Sequence, residues 1–388
     1  MFANQPDEKG YFGQFGGCYA PEVLMQYMLD VGEAYSHYKQ DDDFQTEFKQ
    51  LLNNEAGRET PLLLATNLTR HAGGAQIFLK REDLTRTGSH HINAALGQAL
   101  LAKKMGKTLL ITETSTGLHG LAVAQAAVTL GMDCHVLMGA NDASRQVGTV
   151  EKMRELGSEV SLIETGAGSL LAANEATTRA WLGAINNGFY VVNSVIGPHP
   201  YPTMVRDFQS IIGQEVKQQI LSATGRLPDH LVASVGGGAN AMGLFTPFLE
   251  TDISMSGVRA LNNPGRLGVF QGVKTLMQQD DNGQLLNINS LAVGLQSCLT
   301  GPEPSFLHSE GRLAYVTVSD EEVLQAYQLS AQLESITPAL ESCYAIAYGL
   351  KLAEKLSPDS NIVINLSGRG EKDANQIAST GQIDRASR

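Results

Sequence analysis

The sequence predicts an α/β protein with parallel sheets in both halves of the chain. Three observations carry this. Between positions 108 and 182, strand-like and helix-like segments alternate three times, the pattern of a parallel sheet with crossover helices. A second alternation starts near Leu227. Two strand-to-helix junctions, at 87–93 and 236–240, consist of small and polar residues, and such junctions suit an anionic ligand. The 388 residues are enough for two domains with full cores.

In chain order, 10–20 is rich in Gly and aromatics and shows neither helical nor strand period. Pro21 starts a helix to about Tyr38, where its missing N–H costs nothing. Positions 41–49 lead a second helix, 60–62 begin an extended segment, and 76–80 read as a strand. Ile92, Leu96, Leu100 and Met105 keep a helical stripe, with Lys103 and Lys104 in the last turn and Gly106 as the stop. The alternating run follows: strand 108–114, loop 115–120, helix 121–130; strand 134–139, helix 144–156; strand 159–164, helix 170–182. After 189–192 comes a proline-stiffened connector, 197–202, and one helix over 204–220. The second half reads as strand 230–235, helix 241–249 and strand 254–260, with 262–289 an irregular surface excursion. Strand 314–318 precedes helix 320–333, with Ser319 or Asp320 as N-cap and two Glu in the first turn. Helix 340–356 and strand 361–366 close the fold, and the polar stretch 374–388 is expected to fray.

The totals narrow the function. Forty acidic against 28 basic residues give a formal charge of -12, which argues against a nucleic-acid surface and for small-molecule chemistry. No stretch approaches the about 18 uninterrupted apolar residues of a membrane span, and the first ten residues carry no apolar signal core. Cys18, Cys134, Cys298 and Cys343 lack metal-ligand spacing and are too few for a disulfide scaffold. That fits a reducing cytoplasm, and no metal site is expected.

The chain is organised around Thr87-Gly88-Ser89-His90-His91-Ile92-Asn93, preceded by Leu79-Lys80-Arg81-Glu82-Asp83-Leu84. This stretch closely resembles one in the tryptophan synthase β subunit family, which reads Leu-Lys-Arg-Glu-Asp-Leu and then His-Thr-Gly-Ala-His-Lys-Ile-Asn-Asn. The resemblance runs from about Gly10 to Asp373. It includes the opening at 10–22, the loop at 113–120, the nearly intact 197–214, the glycine run at 235–244, Pro338-Ala339-Leu340-Glu341-Ser342 and Asn365-Leu366-Ser367-Gly368-Arg369-Gly370-Glu371-Lys372-Asp373. Several ordered motifs together are specific where one alone is not. Membership implies the pyridoxal-phosphate (PLP) fold type II, two α/β domains with the site between them. It divides the chain into 1–57 plus 85–205, with a mobile subdomain at about 106–193, and 58–84 plus 206–388.

The resemblance also implies roles. His90 matches the histidine that contacts the cofactor phosphate. Gly236, Gly237, Gly238, Ala239 and Asn240 match the phosphate loop, with Ala239 in place of a serine. The run follows a strand and opens a helix, so its backbone N–H groups could close on a phosphate; the alternative is a tight turn without ligand. Glu341 belongs to the cofactor set, and Ser367 matches the partner of the pyridine nitrogen. Glu113 matches the glutamate that handles protons on the serine hydroxyl and on indole, work that suits a carboxylate facing a cleft. Thr114, Ser115, Thr116, Gly117, Leu118 and His119 match the substrate-carboxylate loop, where Ser115, Thr116 and Leu118 replace glycine, alanine and glutamine. Gln296 replaces an aspartate that closes over bound substrate.

His91 replaces the lysine that forms the Schiff base with PLP. Imidazole can move protons near neutral pH, but it cannot form that bond. Lys80 matches an ordinary lysine of the motif, Lys103 and Lys104 lie at the far end of their helix, and no nearby lysine offers itself as a substitute. Further departures fall on Ser297–Leu299 in the monovalent-cation region, which argues against a cation, and on Arg259, Pro304 and Tyr344. The reading is a tryptophan synthase β-like protein in which the lysine route from L-serine and indole to L-tryptophan is lost. Two alternatives stand: an altered enzyme that holds PLP noncovalently with His91 as general base, and a non-catalytic scaffold or regulatory partner of an α-type subunit. The family implies a homodimer, an α-like partner and an amino-acid or indole ligand.

Overall fold

The computed structural model describes residues 2, 5–168, 170–261, 265–286 and 288–379. Its largest sheet has six strands in the order Ala314–Thr317, Ser254–Arg259, His230–Ser234, Asn361–Leu366, Gln76–Arg81, Leu62–Leu64. All neighbours are parallel except the last, which runs antiparallel at the edge. Asn361–Leu366 is buried at every position, as expected of a central parallel strand covered on both faces. A second sheet of four parallel strands has the order Glu159–Ile163, Asp133–Gly139, Leu109–Thr114, Gly188–Tyr190.

Helix His91–Lys104 is apolar and buried nearly all round, with an unbroken buried run from Ile92 to Ala102, which marks an interior helix. It packs so closely that a Cβ added at Gly97 would come within 2.4 Å of the Phe208 ring. Its first turn reaches the carboxyl end of the large sheet, where the His90 N–H donates to the Ser367 carbonyl at 3.0 Å.

The structure departs from the sequence reading in several places. The opening segment forms strands Tyr11–Phe12 and Phe15–Gly16, and the excursion expected at 262–289 contains the hairpin Arg266–Phe270 and Val273–Met277. Together they make an antiparallel four-stranded sheet. Its strands are short, and the pairing that joins the two hairpins, Lys274 opposite Gly16, links segments far apart in sequence, so no local period announces the sheet. The helix expected from 121 starts at Leu118, because Gly117 adopts φ +80 and donates its N–H to the Thr114 hydroxyl at 3.1 Å. The single helix expected over 204–220 is two, Tyr201–Gln209 and Ile211–Thr224. At the break, the Ser210 hydroxyl donates to the Asp207 carbonyl at 2.7 Å, competing with the helix ladder. Likewise 144–156 splits into Ala140–Arg145 and Val147–Glu155 at Gln146, and the helix expected over 241–249 spans Ala239–Phe245 before a short 3₁₀ turn. Helices Thr66–Ala72 and Pro302–Ser309 form where the sequence reading places no helix. Within 374–388, Ala374–Ser379 is helical; positions 380–388 lie outside the described residues.

The N-cap expectation holds at helix Asp320–Glu334. The Ser319 hydroxyl accepts from Glu322 N–H, and the Glu322 carboxylate accepts from Ser319 N–H at 2.8 Å. Ser319→Ala is expected to cost about 1 kcal/mol, read as a lower urea midpoint with unchanged slope.

Candidate functional site

Both parallel sheets aim the carboxyl ends of their strands at one cavity of about 1310 Å³, the place where α/β sheets bind ligands. Sixteen of the seventeen site residues named from the sequence line it: His90, His91, Glu113, Thr114, Ser115, Thr116, Leu118, His119, Gly236, Gly237, Gly238, Ala239, Asn240, Gln296, Glu341 and Ser367. Gly117 stands behind the wall, its backbone against Thr149, and shapes the loop without facing the cavity.

The glycine run is built for close approach. A Cβ at Gly236 would lie 2.1 Å from the Gly294 carbonyl oxygen, one at Gly237 2.4 Å from Ser194 Cβ, and Gly238 holds φ +97. Side chains are therefore excluded along the cavity floor, leaving backbone to face a ligand. The Asn240 amide donates to the Ser234 carbonyl at 3.0 Å and closes the loop. The hydroxyls of Ser89 and Ser234 are buried on the same wall without a hydrogen-bond partner. Buried hydroxyls of this kind are rarely left unpaired, and a bound water or a polar ligand would satisfy them.

The hydrogen bonds around Ser367 fix its polarity. Ser342 Oγ accepts from the N–H of Ser367 at 2.9 Å and of Gly368 at 3.3 Å. Its own proton is then directed to Ser367 Oγ, 2.9 Å away. The Ser367 proton remains free to donate into the cavity, so this wall suits an acceptor such as an unprotonated ring nitrogen.

Glu113 is 4% exposed. Its carboxylate accepts from Tyr190 O–H at 2.8 Å and from the Asn174 amide at 3.4 Å. Burial pushes its pKa up, and these two donors oppose the shift only partly. A carboxyl held closer to neutrality can both give and take a proton.

His91 is half-buried at the cavity wall. Its ring lies 4.1 Å from that of His90 and 5.3 Å from that of His119. Burial first, then the neighbouring His90, His119 and Lys372, hold its pKa well below the ordinary value, so it is a neutral imidazole at physiological pH. His90 donates from Nδ1 to the Ser367 carbonyl at 3.1 Å, and burial lowers its pKa as well.

A lysine does reach the cavity: Lys372 lines it, because strand Asn361–Leu366 runs beside Gln76–Arg81 and brings the segment after it over the start of helix His91–Lys104. Its ammonium is committed to Glu341 at 2.8 Å and Asp373 at 2.6 Å. The two carboxylates outweigh burial and raise its pKa, so it is a charged counter-ion and a poor nucleophile. Lys80 is fully buried elsewhere, on Glu215. Gln296 is exposed at the rim, its amide donating to the Ser290 carbonyl at 3.0 Å. The roles of Lys372 and Ser342 were hidden inside motifs already quoted from the sequence. Asn174 and Tyr190 gave no sequence signal, because only the tertiary fold brings them to Glu113.

Residues 54–368 match the family described as pyridoxal-phosphate dependent enzyme. The chain is 45% identical over 396 aligned positions to the tryptophan synthase beta chain of Vesicomyosocius okutanii subsp. Calyptogena okutanii (strain HA), covering 98% of this chain and 99% of that one. In structure it is similar to the L-serine ammonia-lyase of Rhizomucor miehei, with TM-score 0.66 and 19% identity over 84% of this chain and 98% of that chain. It is also similar to maize serine racemase, with TM-score 0.62 and 16% identity over 86% and 97%. At these identities the two structures speak for the fold alone.

Proposed function

The chain belongs to the tryptophan synthase β-like PLP-dependent enzymes, and on that premise we propose that its cleft holds PLP without a lysine tether, that the lysine-dependent conversion of serine and indole is lost, and that His91 is the cleft's proton carrier. The observation that carries this is His91 itself, an imidazole on the cavity wall, with the lysine that also lines the cavity already committed to two carboxylates. When bound, PLP supplies an electron sink for charge developing on an amino acid's α-carbon.

The chain's own residues would do the rest. Backbone N–H groups at 236–240 would bind the phosphate and Ser367 would donate to the ring nitrogen. The loop from Ser115 to His119 would dock the substrate carboxylate through its backbone, although Thr116 and Leu118 narrow it relative to the family pattern. Glu113 would hold or release a proton at the substrate's side chain, and His91 would move one at its free ring nitrogen. Residues 1–57 with 85–205, and 58–84 with 206–388, would form the two domains. A homodimer and an α-type partner belong to the same proposal; the relative's description as a beta chain supports the second. Among the described residues no helix is long and apolar enough to cross a membrane.

The test is the visible absorption spectrum of the purified chain with PLP, before and after dialysis, then with L-serine. The expected result is a bound species that dialysis removes, that borohydride does not fix to the chain, and that shifts when serine is added. Cofactor fixed on a lysine by borohydride, or normal turnover of serine and indole, would defeat the proposal.

A further inference from the structure

The role given to His91 requires one of its ring nitrogens to carry a lone pair facing the cleft, and the surroundings of His119 bear on which tautomer His91 adopts. His119 is 3% exposed. Its Nε2 lies 3.3 Å from the Val191 carbonyl oxygen. A carbonyl only accepts, so Nε2 carries the hydrogen and Nδ1 bears a lone pair. That Nδ1 is buried without a partner, a situation native structures rarely leave standing.

Two rings lie within reach of this corner. The His90 ring is unsuited, because its Nδ1 already serves the Ser367 carbonyl. It also stacks on His91 at 4.1 Å with planes only 35° apart, so it cannot form an in-plane N–H bond with His91. The His91 ring is 5.3 Å from that of His119, at 62°. Two imidazoles joined by one N–H···N bond of about 3 Å have ring centres roughly 5 Å apart. The separation therefore fits, and the His91 ring can turn about its Cβ–Cγ bond, a broad and soft torsion.

We propose that His119 is a positioning residue for His91: its Nδ1 accepts one His91 ring N–H, which fixes the His91 tautomer and turns the other nitrogen's lone pair into the cleft. The inference rests on the proposed role of His91 as proton carrier, and follows the logic in which a base is oriented by a third group. The remaining ionisable groups lining this part of the cleft do not compete for the bond. Glu113 is held by Tyr190 and Asn174, and Glu341 and Lys372 pair with each other.

The test uses the full chain without ligand, labelled with ¹⁵N at histidine, and reads nitrogen shifts and ¹⁵N–¹⁵N coupling. His91→Leu identifies the His91 signals by their loss. The expected result is a hydrogen-bonded His119 Nδ1 that reverts to a bare acceptor in His91→Leu, with coupling between the two rings in the parent. In His119→Phe, the His91 tautomer ratio is expected to change by about fivefold, the bias one ordinary hydrogen bond supplies. A His119 Nδ1 shift that is identical in parent and His91→Leu, or a parent without inter-ring coupling, overturns the proposal. His91→Leu keeps the test valid if His119→Phe does not fold, because it alters only the half-buried partner. PLP uptake is scored separately by dialysis, so a failure there sinks the reading of the cleft and leaves the imidazole pair to be judged on these spectra.

Discussion

His91→Lys is expected to give a protein that holds PLP through dialysis and that borohydride fixes to cofactor at position 91. Turnover of serine and indole should rise about 10²–10⁴-fold over the parent, the range that a positioned acid–base group contributes. The expectation follows from what surrounds position 91. The glycine run keeps its backbone floor, Ser367 keeps a free donor, and Glu113 keeps its two partners. A new amine there would sit between two neutral imidazoles and near Lys372, whose charge has lowered the His91 pKa along with burial. Burial and nearby positive charge both favour the neutral, nucleophilic amine. Mass spectrometry of the reduced, digested protein reads the attachment. If no cofactor is fixed at position 91, the cleft does not hold PLP in the orientation proposed. If cofactor is fixed but turnover stays at the parent level, the obstacle lies in the substrate loop, where Thr116 and Leu118 line the cavity.

The parallel sheets were legible in the sequence, and nearly all the site residues named from it line the cavity, for one physical reason. Ligand groups in this architecture sit at strand ends, and strand ends carry local signals: the run Gly236-Gly237-Gly238, the Ser-Gly pair at 367–368, the polar junction before Ile92. What stayed hidden depends on contacts between distant segments. The sheet that joins Phe15–Gly16 to Val273–Met277 has a single bridging register, Lys274 opposite Gly16, which no local pattern encodes. Tyr190 reaches Glu113 because Gly188–Tyr190 pairs with Leu109–Thr114, and a three-residue strand has no period to read. Lys372 was visible as a letter, but its salt bridge to Glu341 joins positions 31 residues apart in sequence. The helix break at Ser210 turns on one hydroxyl's hydrogen bond, below the resolution of a periodicity argument.

Arg58→Met is expected to destabilise the protein by about 3–5 kcal/mol, because it removes the centre of a buried charge cluster beneath the cleft. All three guanidinium nitrogens of Arg58 donate. Nη1 and Nη2 take both oxygens of Glu82 at 2.9 and 2.8 Å, Nε and Nη2 take both oxygens of Glu215 at 2.7 and 2.8 Å, and Nη1 also takes Asn93 Oδ1 at 2.8 Å. Lys80 supplies the second positive charge, on Glu215 at 2.6 Å. Two cations thus balance two carboxylates, none of them more than 4% exposed at the side chain. Without Arg58 the two carboxylates share one lysine in a site that water does not reach. The cleft should feel the loss, since Asn93 donates to Glu82 and to Gln209, and Gln209 donates to the His90 carbonyl. The cluster also sets an acid limit. Burial would raise the Glu82 pKa, but Arg58 outweighs it and holds the carboxyl down to about 2, against an ordinary value of 4.5. A carboxyl depressed in the folded state stabilises fully above its unfolded pKa, and that contribution, on the order of 3 kcal/mol, is lost as pH falls from about 4.5 towards 2. Urea midpoints measured from pH 7 to pH 2.5 should therefore hold the Glu82 contribution down to about pH 4.5 and shed it below. In Arg58→Met the Glu82 part of that decline should shrink or reverse, because burial, no longer opposed by its strongest partner, lifts the Glu82 pKa back towards or above its unfolded value. A variant within 1 kcal/mol of the parent, with the same acid decline, would mean that the cluster contributes nothing net and that packing alone holds the start of helix His91–Lys104 in place.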